Sequence, residues 1–307
     1  MTIRAAALAV GALVLTGYVA TLAPTVTFWD AGELIAAAYT LGIPHPPGTP
    51  LFVVLAHVWA LLVPAGEYAA RTNLLSATAS AAAAGGWFLV AHDTTRRLAD
   101  GLTPSIARIV SVGGAAAAAL VGAFSFTNWQ NSNETEVYAV AGLMISALVW
   151  LALRWREQRS PKFLLLAVYL MALSVGNHLL ALLAGPALLV FLADVLRSQP
   201  PPDPAARASQ WAHVAVVAGA WALMLGTGLG SGKLFGLGLV AAAASLALAA
   251  GRREHRFGLT ALFLVTAGVS VYLFLYLRAA QHPMINEAAP SSWRALVDVI
   301  GRAQYPV

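Results

Sequence analysis

The stretch from Leu51 to Val63 reads LFVVLAHVWALLV, and whether this apolar run crosses a membrane decides the topology of the whole chain. A transmembrane helix needs about 20 apolar residues, so this run is short for a span. The full chain of 307 residues is 59% hydrophobic and only 10% charged. Soluble domains carry about 25% charged residues, so the composition predicts an integral membrane protein.

Nine other apolar runs are predicted to be transmembrane helices, because backbone groups in lipid must be hydrogen-bonded within their own segment. These runs lie near residues 5–23, 73–91, 109–127, 137–153, 163–176, 179–196, 211–229, 234–250 and 257–277. The first is interpreted as an uncleaved span, since no Ala-x-Ala-like site precedes Pro24. The predicted fold class is an all-α polytopic membrane protein, a bundle of about nine transmembrane helices.

The positions of arginine and lysine assign the two sides of the membrane. If 51–63 crossed, the basic loops 92–108 and 154–162 would face opposite sides. If it lies in the outer interface, 13 of the 18 Lys and Arg residues share one side, as the positive-inside rule favours. The sequence therefore predicts a cytoplasmic amino terminus, an external loop 24–71 with an interfacial helix, and an external tail 278–307.

The composition also excludes several classes of partner and site. The net charge of +5 does not indicate nucleic acid, because the basic residues lie in short loops between spans. The absence of cysteine excludes disulfides and thiolate metal sites. No soluble domain is visible, so residues 1–307 are interpreted as one transmembrane domain.

Under this topology, polar residues from separate loops are predicted to face one external cavity. Asp30 and Glu33 are three positions apart, hence on one face of a helix that Asp30 is placed to cap. In His45-Pro46-Pro47-Gly48 the prolines predict an extended backbone and the glycine a sharp turn. Residues 131–138 are predicted as a second external loop. The further substrate-binding candidates are Arg71, Glu134, Glu136, Asn177, His178, Arg278, Asn286 and Glu287.

A purely structural role is the alternative for most of these residues. The alternatives are helix capping for Asp30 and Glu33, helix-dipole stabilisation for Glu134 and Glu136, and interfacial snorkelling for Arg71 and Arg278. Trp29, Trp129 and Trp293 could stack on a sugar or belong to the interfacial aromatic belt. Residues alone leave these alternatives open.

The segments Asp30-Ala31-Gly32-Glu33 and Leu41 to Gly48 closely resemble the signature of the DUF2723 family of bacterial membrane proteins, which includes the animal transmembrane protein O-mannosyltransferases. Later blocks of the chain also resemble this family, in the expected order: 133–138, 176–178, 278–287 and 302–305. More distantly the chain is similar to the GT-C glycosyltransferase superfamily, whose members have a bundle of transmembrane helices. Such proteins usually continue into further spans and often a soluble carboxyl-terminal domain, which is expected to be absent here because the sequence stops at Val307.

The resemblance implies a glycosyltransferase of the bacterial inner membrane with an external active site. Its donor would be a polyprenyl-phosphate-linked sugar, its acceptor an exported protein or glycan, and its catalytic residues Asp30 as base with Glu33 beside it. No cofactor is required and no metal is predicted, although paired carboxylates could hold a divalent ion. Two alternatives remain: a transporter or flippase, with Asp194 as the nearest candidate relay, and an inactive truncated assembly subunit.

Overall fold

The computed structural model describes residues 2–64 and 66–303, and within them the regular structure is helical with no strand. Gln304 and Tyr305, which belong to the last block of the family resemblance, lie outside the described residues. The same holds for the last residues of the predicted tail 278–307. Contacts divide the chain into two compact units. Unit 1 comprises Met1–Tyr39 and Val53–Trp150, and unit 2 comprises Thr40–Phe52 and Leu151–Val307.

The helices are, in chain order, α1 (Ile3–Ala20), α2 (Ala31–Thr40), α3 (Pro50–Leu62), α4 (Tyr68–Leu98), α5 (Pro104–Ala123), α6 (Phe126–Asn133), α7 (Val137–Gln158), α8 (Pro161–Val175), α9 (Leu179–Ser198), α10 (Pro204–Gly228), α11 (Gly232–Gly251), α12 (His255–Ala279) and α13 (Trp293–Ile300). Among the described residues, eight helices are long and apolar enough to cross a membrane: α1, α4, α5, α7, α9, α10, α11 and α12. The predicted all-α polytopic membrane protein is confirmed, consistent with a GT-C-like bundle.

Each of the nine predicted runs coincides with a helix, but the lengths differ. The run 163–176 is α8, whose 15 residues measure about 22 Å at 1.5 Å per residue, short of the roughly 30 Å core. The predicted run 73–91 is part of the longer helix α4, which has 31 residues. Near its end Asp93 pairs with Arg96 at 3.0 Å and Arg97 at 3.4 Å, which supports the helix beyond its apolar part.

The segment between α5 and α7 differs from the prediction. The span predicted at 109–127 ends at Ala123, and α6 occupies Phe126–Asn133. The prediction that residues 131–138 form a loop is therefore wrong for 131–133, which end α6, and for Val137 and Tyr138, which begin α7; only 134–136 form a loop. The physical reason is a helix start at Ser125, whose backbone is extended and whose carbonyl accepts the first helical hydrogen bond from the Trp129 amide at 2.9 Å.

Unit 1 is built around the antiparallel pair α1 and α4, with α5 packed against both. The two backbones approach closely at glycines. An added Cβ at Gly11 would lie 3.1 Å from the carbonyl oxygen of Ala81, and one at Gly85 would lie 3.1 Å from that of Ala7. Small residues allow such close packing of membrane helices.

The chain leaves α1 and enters α4 at the same end of unit 1. The side-chain amide of Asn73, near the start of α4, donates to the carbonyl of Ala23 at 2.9 Å. The Ala23 amide in turn donates to the Asn133 carbonyl at 3.1 Å. The Tyr18 hydroxyl donates to the carbonyl of Ala123 at 2.6 Å, which places the end of α5 there as well. The segment between Ala23 and Asn73 therefore makes no net crossing of unit 1.

Unit 2 contains the hairpin of α10 and α11, with α8 and α12 packed beside it. Glycines again allow the contact, since an added Cβ at Gly238 would lie 2.6 Å from the carbonyl oxygen of Ala222. A 3-10 turn at Ser270–Tyr272 interrupts α12, and there the Tyr272 hydroxyl donates to the Val175 carbonyl at 2.9 Å. These contacts support the connection between α8 and α9, where predicted site residues lie.

Candidate functional site

Two acidic side chains lie at the start of α2. The helix begins directly after Asp30, whose carbonyl accepts the Leu34 amide at 2.9 Å. One carboxylate oxygen of Asp30 lies within 4.8 Å of one of Glu33. Asp30 is exposed and Glu33 half-buried. Two carboxylates therefore lie side by side at the start of α2, as the spacing predicts.

A polar network that was not predicted fixes the segment before Asp30 and the loop before α7. Asn73 is fully buried, and its side-chain amide donates to the carbonyls of Ala23 at 2.9 Å and Thr25 at 3.2 Å. Its side-chain oxygen accepts the Thr135 hydroxyl at 2.6 Å, and that hydroxyl also contacts Thr72 at 2.8 Å. One asparagine therefore connects the segment before Asp30 to the loop before α7. Its signal in the sequence is a group of polar residues inside an otherwise apolar span.

The acidic residues of the loop before α7 lie at this end of unit 1. Glu136 is buried with 6% exposure, and its amide donates to the Ser76 hydroxyl at 3.2 Å. Glu134 is half-buried. The Tyr138 hydroxyl interacts electrostatically with both Glu136 and Asp30. Unit 1 thus gathers the predicted carboxylates of two loops around the start of α7.

The guanidinium of Arg71 donates hydrogen bonds to backbone carbonyls. Its Nε and Nη2 donate to the Gly66 carbonyl at 3.1 and 2.9 Å, and its Nη1 donates to the Ala60 carbonyl at 3.3 Å. The indole nitrogen of Trp59 donates to the Arg71 carbonyl at 2.9 Å. Arg71 therefore joins the end of α3 to the start of α4.

The residues before Asp30 expose two large aromatic rings. Phe28 is 87% exposed and Trp29 is 86% exposed. The Trp29 backbone has a φ of 64°, in the left-handed region that non-glycine residues seldom occupy. This conformation turns the chain sharply just ahead of the acidic pair. Both uses predicted for Trp29, sugar stacking and the interfacial belt, require an exposed ring.

In unit 2 the segment 40–51 is hydrogen-bonded to the polypeptide that follows α12. The Ile43 amide donates to the Ile285 carbonyl at 2.8 Å, and the Glu287 amide donates to the Ile43 carbonyl at 3.0 Å. Asn286 lies between these two bonds and forms an isolated parallel bridge with Ile43. Among the described residues the side-chain oxygen of Asn286 is buried and has no hydrogen-bond partner.

His45 begins a tight turn, so the predicted extended backbone is wrong. The Gly48 amide donates to the His45 carbonyl at 2.9 Å, and the Pro46–Pro47 peptide is cis. The sharp turn at Gly48 is confirmed, with a φ of 80°. An added Cβ there would lie 3.0 Å from the Leu275 side chain, so α12 packs directly against the turn. His45 itself is half-buried.

Arg278, near the end of α12, is bonded to the same segment. Its Nε donates to the Leu41 carbonyl at 2.7 Å and its Nη2 to the Thr40 carbonyl at 3.1 Å. Its Nη1 donates to the side-chain oxygen of Gln281. A guanidinium has five N–H donors, so these three bonds leave two N–H groups for another acceptor.

The tip between α8 and α9 contacts the segment 40–51. The Leu51 amide donates to the Gly176 carbonyl at 2.8 Å. Asn177 is fully buried. His178 Nδ1 accepts the Leu180 amide at 3.1 Å, so in the neutral ring Nε2 carries the hydrogen. Burial, with a smaller contribution from the charge of Arg302, holds the pKa of His178 below its usual value.

The structure thus assembles the predicted residues in two groups. In unit 1 the members share the end where α4 and α7 begin, and they are Asp30, Glu33, Arg71, Glu134 and Glu136. In unit 2 they share the surroundings of the segment 40–51, and they are His45, Asn177, His178, Arg278, Asn286 and Glu287. The single external cavity proposed from the sequence stays a prediction.

Comparison with known proteins identifies relatives. Residues 30–199 match the family described as Protein O-mannosyl-transferase TMEM260 N-terminal domain. The chain is 36% identical over 154 residues to "Protein O-mannosyl-transferase TMEM260" of Mus musculus, covering 50% of this chain and 20% of that protein. It is 45% identical over 47 residues to "Protein O-mannosyl-transferase tmem260" of Dictyostelium discoideum, covering 15% of this chain and 6% of that protein. The matches thus span a fifth or less of these relatives' lengths. No solved structure matches the chain.

Proposed function

This chain belongs to the family of the protein O-mannosyl-transferase TMEM260 N-terminal domain, and we propose that it is a membrane glycosyltransferase. The sugar comes from a polyprenyl-phosphate donor, with mannose as the first candidate because of the relatives' names. The acceptor is a hydroxyl of an exported protein or glycan. The observation that carries this proposal is the pair of carboxylates at the start of α2, Asp30 and Glu33, within 4.8 Å of each other at the beginning of the matched segment.

Asp30 is the proposed general base, because it is exposed and able to reach a bound acceptor. The acceptor O–H proton passes to a carboxylate oxygen of Asp30 while the acceptor oxygen bonds to the anomeric carbon of the sugar. The bond from that carbon to the phosphate oxygen breaks, and polyprenyl phosphate leaves with the electron pair. A single displacement of this kind inverts the configuration. Glu33 accepts a hydrogen bond from a sugar or acceptor hydroxyl beside the base.

The segment 40–51 and its neighbours supply the proposed phosphate-binding residues. Arg278 anchors this segment and offers its two remaining N–H groups to the leaving phosphate, where negative charge grows. The Nε2–H of His178 is a neutral donor for the same oxygens. Asn286 and His45 are proposed to orient the sugar. No metal ion is required, because a guanidinium can carry the compensating charge.

The proposed active side is non-cytoplasmic, and this follows from charge. Arg4, Arg96, Arg97 and Arg108 lie at the start of α1, the end of α4 and the start of α5, opposite to the proposed catalytic carboxylates Asp30 and Glu33. The positive-inside rule makes the arginine-bearing end cytoplasmic. The catalytic carboxylates then face the periplasm of a bacterial inner membrane.

The test is transfer of radiolabelled sugar by the purified full chain in lipid nanodiscs. Polyprenyl-phosphate mannose is compared with the corresponding glucose donor, with a membrane extract of exported proteins as acceptor. Removing a general base costs about 10²–10⁴-fold, so Asp30→Asn is expected to lose transfer by at least about 100-fold.

Asp194→Asn is the matched control, since this exposed aspartate lies on α9, and it is expected to transfer sugar within about twofold of the native rate. This control also addresses the transporter alternative, in which Asp194 would be the relay. Full transfer activity of the Asp30→Asn variant would remove the assigned base.

A further inference from the structure

A cavity of about 390 Å³ lies in unit 1, at the end opposite to Asp30 and Glu33. Its walls come from the start of α1, the end of α4 and the start of α5. Small-molecule sites usually measure about 300–1,000 Å³, so the cavity is large enough for a small ligand or a headgroup of similar size. The proposed sugar transfer makes no use of it.

The lining of this cavity is cationic on one side and apolar on the other. Arg96 and Arg108 contribute guanidinium groups, and Asp100 contributes the one carboxylate of the lining. Ile3 of α1 and Val112 of α5 contribute apolar surface. A ligand that matches both sides has an anionic head, a hydroxyl that can donate to a carboxylate, and an apolar portion.

The two arginines are held in different ways. Arg96 donates to Asp93 at 3.0 Å, and Asp93 also pairs with Arg97, so part of the Arg96 charge is compensated within α4. The guanidinium of Arg108 has no hydrogen-bond or ion-pair partner within residues 2–64 and 66–303. Arg108 is therefore the principal cation available to an anionic ligand.

The backbone around Arg108 departs from a regular helix. α5 continues from Arg108 into a π-helical turn at Ile109–Gly113. The Thr95 hydroxyl of α4 donates to the Ser111 carbonyl at 2.8 Å, which fixes this turn against α4. Single π-helical turns inside α-helices occur frequently at functional sites. Here the turn follows the residue that carries the free guanidinium.

We propose that this cavity binds the headgroup of an anionic phospholipid, with Arg108 as the main phosphate ligand and Arg96 as the second. The cavity lies at the ends of three helices that are long and apolar enough to cross a membrane, which is the depth at which lipid headgroups are expected. Ile109, directly after Arg108, is 70% exposed and offers a surface for an acyl chain. Basic pockets between transmembrane helices bind anionic headgroups in this manner.

The experiment measures lipid binding to the purified full chain by native mass spectrometry after delipidation. Phosphatidylglycerol, phosphatidylcholine and inorganic phosphate are titrated separately, and phosphate is also used as a competitor. Phosphatidylglycerol is expected to bind about tenfold more tightly than phosphatidylcholine, and Arg108→Gln is expected to weaken its binding about fivefold. Arg252→Gln, in an exposed basic loop remote in sequence from the cavity, is the control and is expected to change binding by less than about twofold.

A second variant separates this cavity from general surface charge. Ala107 lines the cavity on α5, and Ala107→Leu fills the space while keeping every charge. It is expected to weaken phosphatidylglycerol binding as much as Arg108→Gln does, with an unchanged melting temperature of the lipid-free chain. Equal binding of both lipids, equal losses in the Arg108 and Arg252 variants, or displacement of lipid by inorganic phosphate at equal concentration would each overturn the proposal.

Discussion

The guanidinium Nε of Arg278 donates a 2.7 Å hydrogen bond to the carbonyl oxygen of Leu41, a residue 237 positions earlier in the chain. Its Nη2 also donates to the Thr40 carbonyl, so the planar guanidinium of Arg278 binds two consecutive carbonyls that precede His45. Arg278, which is proposed to bind the leaving phosphate, therefore also helps to fix the position of His45.

Arg278→Lys should lower sugar transfer more than the loss of one contact explains, because lysine keeps the charge but not the fork. Misplacing a reacting group by about 1 Å can cost about 100-fold, so a fall of about 10–100-fold in kcat is expected. The amides of Ile43 and Glu287 should exchange hydrogen faster, since the segment they pair across loses its anchor. Arg294→Lys, an exposed arginine of α13, is the control for charge-conserving replacement. Unchanged amide exchange in Arg278→Lys would show that the anchor is dispensable.

Asn73→Ala should destabilise unit 1 and reduce transfer, although Asn73 is not proposed to touch substrate. The substitution removes the side-chain donor to the Ala23 carbonyl and leaves the Thr135 hydroxyl with Thr72 as its remaining partner. A buried polar group that loses its partner costs about 1–3 kcal/mol, and the segment leading to Asp30 should become mobile. Thermal melting and transfer assays of the same preparation measure both effects.

The control for this prediction is Thr78→Ala on the same helix. The Thr78 hydroxyl donates only within α4, to the Leu74 carbonyl at 2.8 Å. Removal of this hydroxyl should change the free energy of unfolding by less than about 0.5 kcal/mol, because it makes no hydrogen bond to a loop. If the two variants melted alike, the Asn73 network would have no special role in holding the acidic loops.

The helices were predictable from sequence because lipid imposes one requirement on every span, namely internal backbone hydrogen bonds within an apolar run. The carboxylates at Asp30 and Glu33 were predictable as a pair for a similar local reason, since their spacing sets one helix face. The hydrogen bonds of the Arg278 guanidinium to backbone carbonyls were not predictable, because these carbonyls lie more than two hundred residues away in sequence. Asn73 was missed because the group of polar residues around it in an apolar run carries no local indication of which loops they join.

Acid should destabilise the connection between α8 and α9 through His178. Burial lowers the pKa of His178 below its ordinary value of 6.5, so the unfolded chain binds a proton at this residue more readily than the folded chain does. Stability is therefore complete above 6.5 and falls as the pH drops from there toward the folded pKa. His178→Gln cannot take up this proton, and its melting temperature should fall less between pH 7 and pH 5.5 than that of the native chain. His282→Gln removes an exposed histidine of the tail and should keep the native dependence.

A second acid-sensitive contact fastens the connection between α11 and α12 to α10. The Ser209 hydroxyl donates to one carboxylate oxygen of Glu254 at 2.5 Å, and Nε2 of His213 lies 3.0 Å from the other. His213 is 6% exposed and stacks on Phe257 with ring centroids 4.0 Å apart. A carboxylate only accepts, so both neighbours donate to Glu254.

These hydrogen bonds, Ser209 first and His213 second, lower the pKa of Glu254 below its ordinary value of 4.5. The stability they contribute is present above 4.5 and is lost as the pH falls through the folded pKa, because the protonated side chain accepts less strongly. Glu254→Gln should therefore lower the free energy of unfolding near neutral pH by about 1–3 kcal/mol, and the deficit should vanish in acid. Glu157→Gln, which breaks a partly exposed pair with Arg154, should cost less than about 1 kcal/mol at any pH. Because both variants remove one negative charge, a difference between their melting curves isolates the Glu254 contact from a general effect of charge.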